Sequence, residues 1–146
     1  MKRRVVIDTS SLVSAAIRPG SIPDQSLTHA LATAQLCTSV EHLSELEAVL
    51  RRPRFDVYVS LESRLTLLAS IGTHALSVTI PQTCMDQARG NCRDENDSYL
   101  LALAMASGAT ILISSDNDLL ALHPWRGVRI LTPAQFLTLP IQPQFH

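Results

Sequence analysis

Four aspartates stand at the ends of the most regular apolar segments of this chain. Asp8 directly follows a short run of β-branched residues, and Asp116 follows a second apolar run that ends in two serines. Asp94 and Asp97 lie just before and at the start of a segment rich in alanine and leucine. Parallel α/β sheets bind their ligands at the carboxyl ends of the strands. We therefore expect these carboxylates to share one edge of a sheet.

Carboxylates that converge in one place favour a particular chemistry. They repel one another, which raises their pKa values unless a cation neutralises them. Oxygen ligands without histidine or cysteine select Mg²⁺ or Mn²⁺. Such an ion activates water and stabilises an in-line attack on phosphorus. The acidic set is therefore typical of a site for phosphodiester hydrolysis.

Each aspartate taken alone has another common use, as the cap of a helix. An N-cap carboxylate contributes about 0.5–2 kcal/mol of stability and complements the helix dipole. The interpretation as a site therefore depends on the aspartates acting together.

Segments typical of strands and helices alternate along the chain and must position these residues. Apolar, β-branched runs predict strands at residues 4–8, 36–39, 77–80, 109–114 and 128–131. Apolar spacing, caps and stop signals predict helices at residues 9–17, 23–35, 40–52, 60–76 and 97–107, and a short one starting at Pro133. Residues 82–91 are polar and predict a loop. The alternation predicts an α/β fold, a three-layer α/β/α sandwich with a central, mostly parallel sheet.

Length and composition fit one domain. The chain has 146 residues, of which 46% are hydrophobic and 17% charged, as in globular rather than disordered proteins. No apolar run approaches the roughly 18–20 residues that cross a bilayer, and the run after the basic start is too short for a signal peptide. Three cysteines without C-x-x-C spacing indicate neither a disulfide framework nor a zinc site. We expect a cytoplasmic protein with a domain over residues 1–139 and a flexible tail over 140–146.

The charges are unevenly distributed along the chain. A net charge of −1 argues against a general nucleic-acid-binding protein, which is usually basic. The densest basic patch comprises Arg51, Arg52 and Arg54. These arginines could contact RNA phosphates or complement the dipole at the end of a helix, and the sequence leaves both open. The five histidines share no ligand spacing, so we expect them in the core or on the surface.

Five segments, taken in order, resemble the motifs of the PIN domain family. They are VVIDTSSLVSA at residues 5–15, SELEAVLRRPRF at 44–55, RDENDSYLLALA at 93–104, ATILISSDNDLL at 109–120 and VRILTPAQFL at 128–137. The resemblance covers residues 3–137, nearly the whole chain. Within the family, the chain is similar to the VapC-like toxins of prokaryotic toxin–antitoxin modules.

This resemblance implies an endoribonuclease that depends on Mg²⁺ or Mn²⁺ and leaves 5′-phosphate and 3′-hydroxyl ends. Matched position by position, the acidic quartet that is both catalytic and metal-binding comprises Asp8, Glu45, Asp97 and Asp116. Asp94 would be a further acid that lines the site and binds metal.

The resemblance also implies auxiliary residues and partners. Ser10 and Ser115 stand where the family often has Asn and Thr, and a hydroxyl there can still hold a carboxylate or water. Asp118 would be a third auxiliary residue. The expected partners are an RNA substrate, a second copy in a homodimer and a cognate antitoxin that covers the site.

Helix periodicity alone does not select Glu45. On a helix over residues 40–52, Glu47 lies nearer the apolar stripe than Glu45 does, and Glu41 points away from it. The choice of Glu45 therefore rests on the resemblance.

Two other functions stay open on the sequence: a PIN-like scaffold that binds RNA or protein without cutting, and a DNA nuclease of the same fold. A receiver domain is excluded because it needs a lysine late in the chain, and Lys2 is the single lysine. A phosphatase of the haloacid dehalogenase type needs Asp-x-Asp after the first strand, where position 10 is serine.

Overall fold

The computed structural model describes residues 2–140. Its strands are β1 (Arg4–Ile7), β2 (Gln35–Thr38), β3 (Leu76–Ser77), β4 (Ile111–Ile113) and β5 (Arg129–Leu131). Its helices are α1 (Thr9–Ile17), α2 (Ile22–Thr33), α3 (Val40–Leu50), α4 (Leu61–His74), α5 (Gln82–Ala88), α6 (Glu95–Ser107), α7 (Asn117–Leu120) and α8 (Pro133–Leu137), with a 3₁₀ turn at Pro53–Phe55. None of the helices in this part of the chain is both long and apolar enough to cross a membrane.

The strands form a parallel sheet in the order β3-β2-β1-β4-β5. Val5 of the central strand β1 is in register with Leu36 of β2 on one side and with Ile111 of β4 on the other. The chain builds the sheet outward from β1 to β3 and then returns to place β4 on the opposite side of β1. The carboxyl ends of β1 and β4 therefore lie where the strand order reverses, which is where open α/β sheets bind ligands.

Side chains that alternate between the two faces of the sheet give the protein two cores. Val5 and Ile7 pack with apolar residues of α1, α2, α3, α4 and α8 on one face. Val6 packs with residues of α5, α6 and α7 on the other. This alternation is the two-residue period of a strand that is buried on both sides. The predicted three-layer α/β/α sandwich is confirmed.

The prediction of a loop over residues 82–91 is wrong, because this segment contains α5. Its polar residues conceal a short apolar face on which Cys84, Met85 and Ala88 pack against the second core. The third strand is also shorter and earlier than predicted. Only Leu76–Ser77 pair with β2, and the N–H of Val78 adds one 2.8 Å bond to the carbonyl of Thr38 before the chain leaves the sheet.

The two ends of the described chain lie together. Nη2 of Arg3 donates a 2.9 Å hydrogen bond to the carbonyl oxygen of Pro140. The rest of the tail predicted over residues 140–146 lies outside the described residues.

Candidate functional site

Asp8 is fixed between the two central strands. It follows β1 and caps α1, and its Oδ1 atom accepts a 2.8 Å hydrogen bond from the backbone N–H of Ser11. Its Oδ2 atom accepts a 2.6 Å bond from the hydroxyl of Ser114, and its N–H donates to the carbonyl of Ile113 at 3.0 Å. The residue is 4% exposed. Because both oxygens accept hydrogen bonds, the carboxylate has one fixed orientation.

Asp116 lies just beyond the end of β4 and is tied to Asp8 through Ser114. The N–H of Asp116 donates a 2.9 Å bond to the Ser114 hydroxyl oxygen. Its Oδ1 atom caps α7 by accepting a 2.8 Å bond from the N–H of Asp118. Sequence reasoning missed Ser114, although one signal was present: a polar residue two positions after the buried Leu112 faces the same buried side of the strand.

Asp97 lacks the hydrogen-bond partners that fix Asp8. It lies in the first turn of α6 and is 7% exposed, and no donor within residues 2–140 contacts its Oδ2 atom. Burial, followed by the negative charges of Asp116, Asp94 and Asp8, raises its pKa to about 7. Near neutral pH this carboxyl is therefore partly protonated unless a cation compensates its charge.

One cavity of about 320 Å³ brings the predicted acids together. We call it the acidic cavity, and its lining comprises Asp8, Thr9, Ser10, Glu45, Asp94, Asn96, Asp97, Leu100, Ser115 and Asp116. All five predicted metal ligands and two of the three predicted auxiliary residues belong to this set. Asp118, the third, is placed beside it and contributes its backbone N–H to the cap at Asp116.

Glu45 lies on the exposed face of α3 that borders the acidic cavity. Glu47 instead pairs with Arg51 at 2.9 Å and lines a separate groove between α3 and α4. Glu41 accepts a 3.4 Å hydrogen bond from the hydroxyl of Tyr99 in α6. Among these three acids, the structure places Glu45 with the aspartates, as the resemblance implied.

The donor set of the acidic cavity fits a hard divalent cation. Carboxylate and hydroxyl oxygens are the ligands that Mg²⁺ and Mn²⁺ prefer. The Oδ2 atom of Asp97 is a buried oxygen that a cation would satisfy. Within residues 2–140, no three His, Cys, Asp or Glu side chains are arranged to hold an ion as they stand. Mg²⁺ usually keeps several waters and is held by only one or two carboxylates, so three protein ligands are not needed.

The predicted RNA-contacting arginines lie away from the acidic cavity, outside its described lining. Arg51 is paired with Glu47, and the guanidinium of Arg54 lies 4.8 Å from the centre of the Phe55 ring. Arg52 is exposed next to α3, and its carbonyl accepts a 3.0 Å bond from Arg64.

A second cavity of about 310 Å³ adjoins the acidic one and shares Glu45 and Asn96 with it. Its remaining walls are Glu41, Met85, Arg89, Glu95, Ser98 and Tyr99. Sequence reasoning missed Arg89 and Tyr99, because a loop over residues 82–91 gave no reason to place Arg89 beside α6. In the structure α5 packs on α6, and this packing brings Arg89 to the second cavity.

Comparisons with known proteins agree with this architecture. The sequence matches the family model described as PIN domain over residues 4–118. MJ1680, an uncharacterized protein of Methanocaldococcus jannaschii, is 30% identical over 124 residues, which are 84% of this chain and 77% of that protein.

Two solved structures share the fold. VapBC2 from Rickettsia felis, bound to a DNA fragment from its promoter, gives a TM-score of 0.62 at 14% identity, covering 87% of this chain and 96% of that one. VapC20 of Mycobacterium tuberculosis, a Sarcin-Ricin loop cleaving toxin, gives a TM-score of 0.57 at 18% identity, covering 86% of this chain and 98% of that one. At these identities the likeness shows the fold.

Proposed function

This chain belongs to the PIN domain family, and on that premise we propose that it is an endoribonuclease that depends on Mg²⁺ or Mn²⁺. The observation that carries the proposal is the convergence of Asp8, Glu45, Asp97 and Asp116 on one cavity where the strand order reverses. Mutually repelling carboxylates are unfavourable in a protein that merely binds RNA. Their presence together at the ligand-binding edge of the sheet favours catalysis.

The ligands of the ion would be Asp8, Asp97 and Asp116, with Glu45 and Asp94 at the exposed side of the cavity. With Mg²⁺ or Mn²⁺ held by these residues, the site would gain an activated water as nucleophile and a positive charge to neutralise the phosphate. Asp8 offers a fixed anchor, because Ser11 and Ser114 hold its two oxygens. Such preorganisation avoids the cost of orienting the carboxylate during the reaction.

Asp97 is the residue that exchanges a proton for a cation. Its Oδ2 atom has no donor within residues 2–140, and its pKa of about 7 places its titration near neutral pH. Proton loss from this carboxyl therefore accompanies cation binding under ordinary conditions.

RNA as the substrate is supported by a solved relative. VapC20, which shares the fold over 86% of this chain, is a Sarcin-Ricin loop cleaving toxin. We assign phosphate contacts to Arg89, at the second cavity, and to Arg51, Arg52 and Arg54 farther along the surface.

Membership of this family also supports a proposal about partners and location. We propose that the protein is the toxin of a toxin–antitoxin module, acts as a homodimer in the cytoplasm and is inhibited by a cognate antitoxin. The acidic cavity would suit a basic side chain of that antitoxin, because such a side chain can neutralise the carboxylates in place of the metal.

A substrate panel tests this proposal. Purified protein with Mn²⁺ is incubated with structured RNA, single-stranded RNA, single-stranded DNA and duplex DNA, beside Asp8→Asn and Glu47→Gln. We expect cleavage of RNA by the wild type and by Glu47→Gln, which changes an acid outside the cavity, and none by Asp8→Asn. Cleavage confined to DNA would instead identify a DNA nuclease. Binding of RNA without cleavage would identify a non-cutting scaffold.

A further inference from the structure

His42 lies in α3, one turn before Glu45, and is 2% exposed. Its Nε2 atom is 2.9 Å from the carbonyl oxygen of Ile7, the residue that precedes Asp8. Because a carbonyl oxygen can only accept a hydrogen bond, the hydrogen belongs on Nε2 of the ring. This bond joins the helix that carries Glu45 to the strand end that carries Asp8.

The backbone of His42 is fixed as well as its ring. Its N–H donates a 3.1 Å bond to the Ser39 hydroxyl, which caps α3. The same hydroxyl is hydrogen-bonded to Tyr99 of α6. Residues three apart are neighbours on the surface of a helix, so the exposed Glu45 lies one turn along α3 from the buried ring of His42.

A role for His42 as a positive charge beside the acids is disfavoured. Burial lowers the pKa of the ring and outweighs the Ile7 hydrogen bond and the charges of Glu45 and Asp8, which raise it. The neutral ring therefore acts through its hydrogen bond.

We propose that His42 is a positioning residue of the acidic cavity, whose Nε2–H bond to the Ile7 carbonyl sets the separation of Glu45 from Asp8. The inference rests on the proposed function for its kinetic consequence. Loss of an outer partner that orients metal ligands typically costs about 10–100-fold in metal affinity or activity.

Two variants of similar size separate positioning from packing. His42→Gln places an amide N–H near the original Nε2 position, whereas in His42→Asn the amide is one carbon shorter and falls near the Nδ1 position. We expect His42→Gln to bind Mn²⁺ in calorimetric titration within about twofold of wild type. His42→Asn should lose about tenfold or more in Mn²⁺ affinity and in kcat for RNA cleavage, with KM little changed.

A double variant tests whether the effect passes through Glu45. In a Glu45→Gln background, the further change His42→Asn should add little to the loss of Mn²⁺ affinity, because the group that it positions is already altered. Independent, additive losses would overturn the proposal.

The outcomes distinguish this inference from the proposed function. If His42→Asn binds Mn²⁺ as tightly as the wild type, the positioning role is overturned and the nuclease stands. Equal losses of Mn²⁺ affinity in His42→Gln and His42→Asn would have the same consequence. Absence of Mn²⁺ binding by the wild type would overturn both. If His42→Asn does not fold, nitrogen NMR of the wild-type ring still decides: the Nε2–H form is expected, and the Nδ1–H form would overturn the proposal.

Discussion

The hydroxyl of Ser114 donates a 2.6 Å hydrogen bond to Oδ2 of Asp8, across the two central strands of the sheet. The same oxygen accepts a 2.9 Å bond from the N–H of Asp116. Through one fully buried side chain, the acids that follow β1 and β4 therefore have a fixed relative position. The exposed Glu45 of α3, the exposed Asp94 that caps α6 and the buried Asp97 line the same cavity.

Ser114→Ala is expected to lower both stability and metal affinity. It leaves Oδ2 of Asp8 buried without its donor, which costs about 1–3 kcal/mol in the free energy of unfolding. Urea unfolding in EDTA measures that cost. The matched control is Ser115→Ala, a neighbouring exposed serine that should change stability by less than about 0.5 kcal/mol. Equal losses of unfolding free energy in the two variants would show that the Ser114 hydroxyl does not stabilise the buried Asp8 carboxylate.

The contribution of Asp97 to the stability of the metal-free protein should fall as pH rises from about 4 to about 7. The pKa of Asp97 is raised from 3.8 to about 7 in the folded state, so the folded state binds more protons than the unfolded one across this range. The free energy of unfolding therefore decreases with pH, by an upper limit of about 4 kcal/mol for this group. Asp97→Asn, measured in EDTA by urea unfolding, should lack this component. Parallel pH profiles for the two proteins would contradict the assignment.

Glu45→Gln should reduce Mn²⁺-dependent cleavage at least about tenfold, since the loss of a ligand costs no less than the loss of an outer partner. Glu47→Gln provides the comparison on the same helix. It breaks an exposed ion pair with Arg51, worth about 0–1 kcal/mol, and should leave the cleavage rate within about twofold of wild type. A larger effect of Glu47→Gln would mean that the wrong face of α3 has been assigned.

Arg89→Gln should weaken RNA binding more than Arg51→Gln. Arg89 borders the second cavity and has only a long, 3.7 Å contact with Asp86, whereas the guanidinium of Arg51 is paired with Glu47 at 2.9 Å. In the Asp8→Asn background, which keeps RNA intact, loss of one phosphate contact should reduce the slope of log affinity against log salt by about one. The opposite order would place the RNA along the C-terminal end of α3, near Arg52 and Arg54.

Asp8 and Asp116 were predictable from the sequence because topology fixes where a strand ends. A residue that follows a buried parallel strand must lie at the carboxyl edge of the sheet, whatever the details of packing. Glu45 was not predictable in this way. Periodicity shows which side of a helix is apolar, but not which neighbouring element faces its polar side, so the family resemblance was needed.

Ser114 and Arg89 show where sequence reasoning stopped. A serine at the end of an apolar strand is compatible with a turn, and its bond to Asp8 joins residues 106 positions apart. Arg89 lies in a segment whose short apolar face, at Met85 and Ala88, is hard to distinguish from a polar loop. Both positions depend on tertiary contacts that local patterns do not encode.

The proposed function requires that the acidic cavity cuts RNA only with a divalent metal. Its most direct test is the cleavage rate of one RNA by the same purified sample in Mn²⁺, after excess EDTA and after Mn²⁺ is restored, beside Asp116→Asn. We expect cleavage that stops in EDTA, returns with Mn²⁺ and is lost in the variant although the variant stays folded. Cleavage that persists in EDTA or in Asp116→Asn would contradict it.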